Sequence, residues 1–315
     1  MKRYAVITGL LLFAIASCKK ESSGNYGAML MAGIKGSKGA EIVCVNIDSN
    51  QVVKETPIES YVLSSTVFDP GTNGYGYVND DSLFILTRPE TGEVIKSFKL
   101  PGYLGLAVID SEDNTLIGIY TVVTYGPEPD SIRSAKSGPA IYNNHLIRVS
   151  LSSGDVLSDN LVDLGDGVNV STYYYVQKDK IYVLYGANGN LIFLNPSSGE
   201  VLKEQSLGKI LNNSFYITDK NYIVSLDYSI NEQKNYITVI NPSTGAVVSS
   251  YPADAQDGFI SNISGFDEEE NCYITVNSNF EVLFYDISTG HVKRTYKLEN
   301  PMNDIKFWRR EAENK

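Results

Sequence analysis

The residues best suited to binding chemistry cluster between positions 124 and 144, where the sequence reads TYGPEPDSIRSAKSGPAIYNN. This segment concentrates aromatic and basic side chains in an otherwise acidic chain: Tyr125, Arg133, Lys136 and Tyr142. Tyrosine buries a large area at low entropic cost and arginine makes bidentate contacts, so both are common in binding sites. The segment predicts a ligand-binding surface; the alternative is a Pro- and Ser-rich insertion that has no partner.

Catalytic and metal chemistry has weaker support. The two histidines, His145 and His291, fall at non-equivalent places in different segments, which argues against a two-histidine metal site. The chain contains no Gly-x-Ser-x-Gly elbow, no P-loop and no dinucleotide fingerprint. The acidic turns at 163–167 and 267–271 lack EF-hand spacing, which favours solvated turns. We therefore predict no catalytic residues, no metal site and no cofactor.

A recurring segment sets the framework that must position these residues. Each copy has an apolar run, a turn and a second apolar run: EIVCVNIDSNQVV, SLFILTRPETGEVI, HLIRVSLSSGDVL, LIFLNPSSGEVL, ITVINPSTGAVV and EVLFYDISTGHVK. The turn residue falls at positions 50, 92, 154, 199, 245 and 290, so successive copies are 42, 62, 45, 46 and 45 residues apart. A four-stranded propeller blade takes roughly 40 to 50 residues, and the longest interval fits one blade that carries an insertion.

The turn between the two runs has a clear physical logic. Asn195, Asn241 or Asp286 can accept a backbone N–H two residues on, and the glycine that follows can take the positive φ that closes the loop. In the first copy Asn50 stands in place of glycine, and asparagine tolerates that conformation better than most residues. Each copy is therefore predicted to be a β-hairpin.

The repeat predicts an all-β fold, a single β-propeller over residues 26–315. Two more strand-like runs lie between successive hairpins, which gives each blade four strands, A to D, with the recurring turn between C and D. Sheets packed radially bury each face against the next sheet. Six blades are predicted, with seven as the alternative if a degenerate repeat lies in residues 103–143.

The two ends of the chain predict how the ring closes. The first repeat lacks a strand A, and the chain ends with a lone strand from Asn303 to Trp308. Pairing these ends is a Velcro closure, which removes an exposed sheet edge and partly buries Trp308. In this topology the 124–144 insertion joins B to C of the third blade. Because Tyr103 and Phe259 fall in D–A loops, we expect them to share a rim with the insertion.

The first 25 residues are predicted to be a targeting segment outside the fold. The opening MKR is basic, and residues 5–16 form an apolar core too short to span a bilayer. The sequence IASC, ending at Cys18, fits a lipobox and resembles the bacterial lipoproteins. That resemblance implies cleavage of residues 1–17 and lipidation of Cys18, and multiple acyl chains would anchor the protein stably. Residues 18–25 then form the lipidated cysteine and a polar tether, similar to surface-export signals of Bacteroidota lipoproteins.

The net charge limits the classes of partner, and the cysteine content raises the question of a disulfide. The formal net charge is −11, and loss of Lys2 and Arg3 with residues 1–17 makes it −13. An acidic domain is a poor nucleic-acid binder, so no nucleic-acid partner is predicted and membrane contact is expected through the anchor alone. Cys44 and Cys272 lie in the first and sixth repeats, which are neighbours in a closed ring. They are either a disulfide or, as their strand positions favour, two buried thiols.

The Ser/Thr-Gly turns resemble the repeats of the YVTN and quinoprotein-like propeller superfamilies, and the resemblance covers the chain from about residue 26 to its end. The tryptophan that ends many quinoprotein repeats is absent. Valine stands two residues after each glycine instead: Val94, Val156, Val201, Val247 and Val292. No quinone cofactor is therefore expected.

These observations predict a lipid-anchored binding protein of the outer membrane, on its periplasmic face or at the cell surface. Its ligand would be a small molecule or glycan, or it would dock on an envelope protein such as a TonB-dependent transporter and assist uptake. A periplasmic interaction scaffold, similar in layout to the propeller lipoprotein of the β-barrel assembly machinery, is the second hypothesis. The third is a propeller enzyme of the lyase or glycosidase type, which rests on fold analogy.

Overall fold

The computed structural model describes residues 28–36, 39–62, 65–125, 140–164, 170–186, 189–207, 211, 213–229, 231–254 and 258–310. These residues form six four-stranded antiparallel sheets arranged in a ring, which is a six-bladed β-propeller. The prediction of six blades is confirmed, and the seven-blade alternative is not needed. The described part of the chain contains no helix with the length and hydrophobicity needed to span a bilayer.

The blades follow one another along the chain. Blade 1 contains β1 (Met29–Lys35), β2 (Glu41–Asn46) and β3 (Gln51–Pro57). Blade 2 contains β4 (Val67–Asp69), β5 (Gly74–Val78), β6 (Leu83–Arg88) and β7 (Glu93–Lys99). Blade 3 contains β8 (Gly105–Asp110), β9 (Thr115–Tyr125), β10 (Ala140–Ser150) and β11 (Val156–Val162).

Blade 4 contains β12 (Val170–Val176), a 3₁₀ turn (Gln177–Asp179), β13 (Ile181–Gly186), β14 (Asn190–Leu194) and β15 (Val201–Ser206). Blade 5 contains β16 (Phe215–Ile217), β17 (Tyr222–Ser229), β18 (Lys234–Ile240) and β19 (Val247–Pro252). Blade 6 contains β20 (Phe259–Asp267), β21 (Cys272–Asn277), β22 (Glu281–Asp286) and β23 (Val292–Lys297).

The ring closes through the C-terminal strand, as the sequence predicts. Strand β24 (Asn303–Arg309) pairs antiparallel with β1 and is strand A of blade 1. Its Trp308 is 7% exposed and stacks on Phe68 of blade 2, with ring centroids 5.0 Å apart. The predicted burial of Trp308 is therefore confirmed, and the closing strand packs against both neighbours of its sheet.

The recurring C–D turns have the predicted geometry. The glycines at the turn have φ between 71° and 78°, and Asn50 takes φ 56° in the first copy. The side chain of Asn241 accepts the backbone N–H of Ser243 at 2.9 Å, two residues on, and Asp286 accepts that of Ser288 at 2.8 Å. The register of the C and D strands shifts just before each turn, so every one of these hairpins carries a β-bulge.

A second set of repeated turns joins strands A and B, and sequence inspection missed it. A residue with left-handed backbone closes each of these turns, with φ between 49° and 53°: Asn73, Asn114, Lys180, Asn221 and Asn271. Four of these five residues are asparagine, the residue after glycine that best tolerates this conformation. A regular scaffold of short turns thus occupies one face of the ring.

The core consists of separate apolar clusters between adjacent blades. One cluster joins blades 1 and 2 through residues such as Leu30, Ile42 and Tyr77, and another joins blades 6 and 1 through Met31, Ile274 and their neighbours. Strands B and C are buried on both faces, whereas the outer D strands are largely exposed. Each sheet therefore depends on its two neighbours for burial, which explains why closure matters.

Candidate functional site

The central channel of the ring is the principal candidate site. The innermost strands of all six blades line it, and its cavity volume is about 410 Å³. Small-molecule sites in proteins typically have volumes of roughly 300 to 1,000 Å³. The described lining includes apolar, aromatic and polar side chains: Phe68, Val108, Thr172, Tyr173, Gln177, Asn213, Ser214, Phe215, Thr218, Ser264, Asp304 and Lys306. The channel is therefore large and varied enough to hold a small ligand.

Bulges in the innermost strands shape this channel. Among the described residues, Leu106, Asn213 and Asp304 line it with left-handed backbone, at φ 52°, 42° and 52°. They lie in or just before the innermost strands of blades 3, 5 and 1, so these left-handed residues fall in alternate blades. A non-glycine residue in this conformation costs roughly 1 to 2 kcal/mol, and such strain concentrates at binding and active sites.

A tyrosine from the next blade donates a hydrogen bond to each of these left-handed residues. The hydroxyl of Tyr75 donates a hydrogen bond to the carbonyl oxygen of Asp304 at 2.8 Å. Tyr182 donates in the same way to Leu106, and Tyr273 donates to Asn213. The three tyrosines occupy equivalent positions on the B strands of blades 2, 4 and 6, each paired with the residue five before the C–D turn glycine.

The other three blades have no tyrosine at the equivalent position. There the residues are Met31, Leu116 and Ile223, which pack in apolar clusters. The six-fold repeat therefore has a superimposed three-fold alternation, in which every second blade interface carries a hydroxyl-to-carbonyl hydrogen bond. We call Tyr75, Tyr182 and Tyr273 the interface tyrosines.

Removing one interface hydroxyl should destabilise the fold measurably. We expect Tyr75→Phe to lower the free energy of unfolding by about 1 to 3 kcal/mol, because the buried Asp304 carbonyl loses its donor. Chemical denaturation of the wild type and variant measures the difference. Tyr142→Phe is the control, since Tyr142 is 67% exposed and its change should stay within about 0.5 kcal/mol. Equal stability of Tyr75→Phe and the wild type would show that the hydrogen bond contributes nothing.

Lys306 is the one basic residue in the described lining of the channel. It lies on the closing strand β24, surrounded by protein, with part of its surface open to the channel. No hydrogen bond or salt bridge joins its amine to another residue of the described ranges. Desolvation lowers the pKa of Lys306 below its ordinary value, and the charge of Asp304 opposes this shift only in part. Lys306 is therefore a partly buried lysine whose amine has no close partner among the described residues.

Tyr173 reaches the same region from the opposite side of the ring. Burial raises the pKa of Tyr173 well above its ordinary value, and the Asp304 carboxylate, two residues from Lys306, raises it further. Tyr174 points the other way, as strand alternation predicts, and stacks on Tyr216 with ring centroids 5.3 Å apart. The triplet at 173–175 therefore both lines the channel and packs between blades.

The end of the channel that carries the A–B turns has a rim of ion pairs. Asp110 is fully buried, and it accepts hydrogen bonds from the Tyr175 hydroxyl at 2.7 Å and the Lys180 amine at 3.0 Å. Burial alone would raise the pKa of Asp110, but these hydrogen bonds outweigh it and hold the pKa below the usual value. Asp110 is thus a structural anion that ties blade 3 to blade 4.

The sequence-predicted surface lies on the opposite face. The insertion joins β9 to β10, the B and C strands of blade 3, as predicted. These strands continue to the pair Tyr125–Ala140, beyond the ends of their neighbours β8 and β11. The extension formed by residues 120–125 and 140–143, which we call the ribbon, exposes Val122, Val123, Ile141 and Tyr142.

The individual residues predicted for this surface have different outcomes. Tyr103 is 56% exposed, and its hydroxyl donates to the Asp80 carbonyl of the blade 2 B–C turn, which places it on the expected face. No hydrogen bond in the described ranges joins Tyr103 to Tyr142. Tyr125 ends β9 and Phe259 begins β20, but the side chains of both lie outside the described part of the structure. Arg133, Lys136 and Cys18 lie outside the described residues entirely.

Sequence analysis missed Lys306 and Asp304. Both lie in the segment that was recognised only as the closing strand. The available signal was a lysine in an innermost strand, where a charged side chain has no solvent to face unless the channel supplies it. Cys44 and Cys272, whose pairing was left open, are both buried free thiols. Burial raises the pKa of each to about 12, so neither is a reactive thiolate.

His145 takes part in a local surface cluster. Its Nδ1 lies 2.8 Å from Asp159, which also accepts the Tyr120 hydroxyl at 2.7 Å. The rings of Tyr120 and His145 stack at 4.9 Å. His291 instead contacts Asp254 at the blade 5–6 boundary. Within the described ranges, no group of three or more potential ligand side chains could hold a metal ion.

Comparisons with known proteins define the class. A comparison with protein families finds none that matches this sequence, and no curated protein matches it. The fold is similar to that of a protein of unknown function from Bacteroides caccae, with a TM-score of 0.60 and 12% identity over 90% of this chain and 100% of that one. It is also similar to TolB from Acinetobacter baumannii, with a TM-score of 0.58 and 15% identity over 90% and 67% of the two chains.

At these identities the likeness establishes the fold alone. Together with the sheet topology, it defines the chain as a six-bladed β-propeller closed by its C-terminal strand.

Proposed function

We propose that this protein is a lipid-anchored binding propeller of the bacterial outer membrane, and that its ligand site is the central channel. The observation that carries the proposal is the channel itself. Its volume of about 410 Å³ suits a small molecule, and all six inner strands contribute side chains to its lining. The recurring C–D turns repeat almost unchanged, whereas the channel lining differs from blade to blade, which is what recognition of an asymmetric ligand requires.

The location outside the cytoplasm rests on sequence. The basic start, the short apolar core and Cys18 in its IASC context support export and lipidation. Labelling of the full chain with an alkyne fatty acid in a lipoprotein-processing host should mark the wild type and leave Cys18→Ala unmarked. Equal labelling of both would remove the anchor from the proposal. Protease treatment of intact cells then separates a cell-surface position from the periplasmic face.

Ligand binding in the channel can be tested by obstructing its mouth. The ring closes within residues 28–310, so a chain beginning at residue 19 retains the whole propeller. Screening this chain by thermal shift against mono- and oligosaccharides, corrinoids, haem and siderophores should yield at least one stabilising ligand. Thr218→Trp should abolish that binding, because Thr218 is exposed and lines the channel.

The neighbouring substitution provides the control for this experiment. Asp219→Trp adds the same exposed ring next to Thr218 but not to the described channel lining, so binding should persist. A ligand that binds both tryptophan variants as tightly as the wild type would place the site outside the channel. A complete screen without any stabilising ligand would overturn ligand binding as the function.

The ribbon favours protein docking as a second candidate. Within the part of the chain that the structure describes, no strand pairs with the outer edges of its two strands, and exposed aliphatic side chains lie on them; both features allow an added β-strand from a partner. A TonB-dependent transporter or another envelope protein is the expected partner. In-cell crosslinking from Tyr142 should then yield one dominant product, which Val122→Asp with Ile141→Asp removes. Crosslinking unaffected by these charges would reject this docking surface.

A further inference from the structure

The charge content of the channel is unusually simple. Among its described lining residues only Asp304 and Lys306 are charged, and both lie on β24, two residues apart. The remaining polar side chains of the described lining carry hydroxyls or amides: Thr172, Tyr173, Tyr174, Tyr175, Gln177, Asn213, Ser214, Tyr216, Thr218 and Ser264. A ligand that matches this lining needs one anionic group, several hydrogen-bonding groups and no large excess of charge.

The Lys306 amine is available to pair with a ligand. A buried lysine normally finds a carboxylate or other acceptor, because an uncompensated charge in a protein interior is costly. Lys306 makes no hydrogen bond or salt bridge within the described ranges, and Asp304 attracts it only over a longer distance. An anionic group that enters the channel would supply the missing partner.

The backbone conformation is a second, independent indication of a binding site in the channel. Asp304 and Asn213 line the channel with left-handed backbone, and interface tyrosines hold both residues in that conformation. Blades 1 and 5 thus each bear the cost of a left-handed residue in the channel lining. Strain that the surrounding structure maintains in this way is characteristic of residues positioned for binding.

Aromatic surface completes the lining. Phe68, Tyr173 and Phe215 offer apolar faces beside the polar groups. The C–H face of a sugar ring packs against such surfaces, while its hydroxyls need the amide and hydroxyl groups around them. A phosphate is disfavoured because it carries close to two negative charges, whereas the described lining offers one cation beside a carboxylate.

We infer that the channel binds a small polyhydroxylated carboxylate, an acidic sugar such as a uronic acid, whose carboxylate pairs with the Lys306 amine. Asp304 and Asn213 accept or donate hydrogen bonds to ligand hydroxyls, and the aromatic side chains contact the sugar ring. This inference rests on the proposed function, since it names the ligand class of the same channel.

Calorimetric titration tests the ligand class directly. The chain beginning at residue 19 is titrated with galacturonate and glucuronate, and with the matched neutral sugars galactose and glucose. We expect at least one uronate to bind about 10- to 100-fold more tightly than its neutral counterpart, as a charged hydrogen bond provides. Thr218→Trp should abolish that binding.

Substitution of Lys306 tests whether its amine binds the carboxylate of the ligand. Lys306→Met should weaken uronate binding by about 10- to 100-fold while leaving any neutral-sugar binding unchanged. The variant should fold at least as stably as the wild type, because methionine fills a similar space without a buried charge. Lys306→Arg should restore part of the affinity. Lys178→Met is the control, since it removes an exposed lysine close to Gln177 but outside the described lining.

The outcomes separate this inference from the proposed function. Equal binding of uronates and neutral sugars, or unchanged uronate binding by Lys306→Met, would overturn the inference. Binding of only a neutral ligand that Thr218→Trp blocks would also overturn it and leave the channel as a binding site. Absence of any ligand from the whole screen would overturn both.

Discussion

Deleting residues 301–315 should abolish cooperative folding or lower the melting temperature by many degrees. The deletion removes β24, so β1 loses its inner partner and blade 1 keeps three strands. Ile305 and Trp308 leave two different interblade clusters, and the Tyr75 hydroxyl loses its acceptor. Because every blade depends on its neighbours for burial, an open ring exposes apolar faces and an unpaired sheet edge. Circular dichroism and calorimetric melting measure the effect.

A shorter deletion provides the control for closure. Ending the chain after Arg310 removes only residues 311–315 and leaves β24 complete, so its melting curve should match that of the wild type. If the longer deletion also melted like the wild type, closure by this strand would not contribute to stability. The comparison thus separates the effect of the strand from that of losing the terminal residues.

Arg309→Met should lower the free energy of unfolding by about 3 to 5 kcal/mol. Arg309 lies at the end of β24, and its guanidinium donates two hydrogen bonds, at 2.9 Å and 2.5 Å, to the carboxylate of Asp267 in blade 6. Asp267 is 1% exposed. Removing Arg309 takes away the closest cation of this buried carboxylate and leaves only Arg294, whose Nη2 lies 3.8 Å from it, which is a costly outcome. Guanidinium denaturation at neutral pH measures the loss.

An exposed ion pair tests whether burial causes the expected loss of stability in Arg309→Met. Arg88 and Glu93 form a salt bridge in which both side chains are well exposed, so Arg88→Met should cost less than about 1 kcal/mol. Similar losses for the two variants would mean that the Arg309 contact has no special role in joining blade 1 to blade 6. A large loss for Arg309→Met alone would identify this ion pair as part of the closure.

The blade architecture was predictable because it depends on local chemistry repeated along the chain. A glycine or Asn50 takes positive φ at every C–D turn, and a side chain such as Asn241 accepts a backbone N–H two residues on. These preferences act within a few residues, so the sequence reveals them directly. The long interval between positions 92 and 154 likewise predicted an insertion between strands B and C of the third blade. The structure has this insertion between β9 and β10.

Closure was predictable for a related reason. A first blade without strand A and a final strand without a hairpin leave two incomplete sheets, and propellers remove such edges by joining them. That reasoning located Trp308 in the core, but it treated Lys306 only as part of the closing strand. Which face of a strand meets the channel depends on its register with β1 and on the bulge at Asp304.

The sequence by itself determined the C–D turns, the number of blades and the way the ring closes, because each follows from short-range backbone preferences and from an unmatched strand. Only the tertiary structure decided the site. The channel exists only when six inner strands converge, and the interface tyrosines act across blades up to 229 residues apart in the chain. Contacts of that range leave no periodic signal at the accepting residues, so Asp304 and Lys306 become recognisable as a pair only in the folded ring.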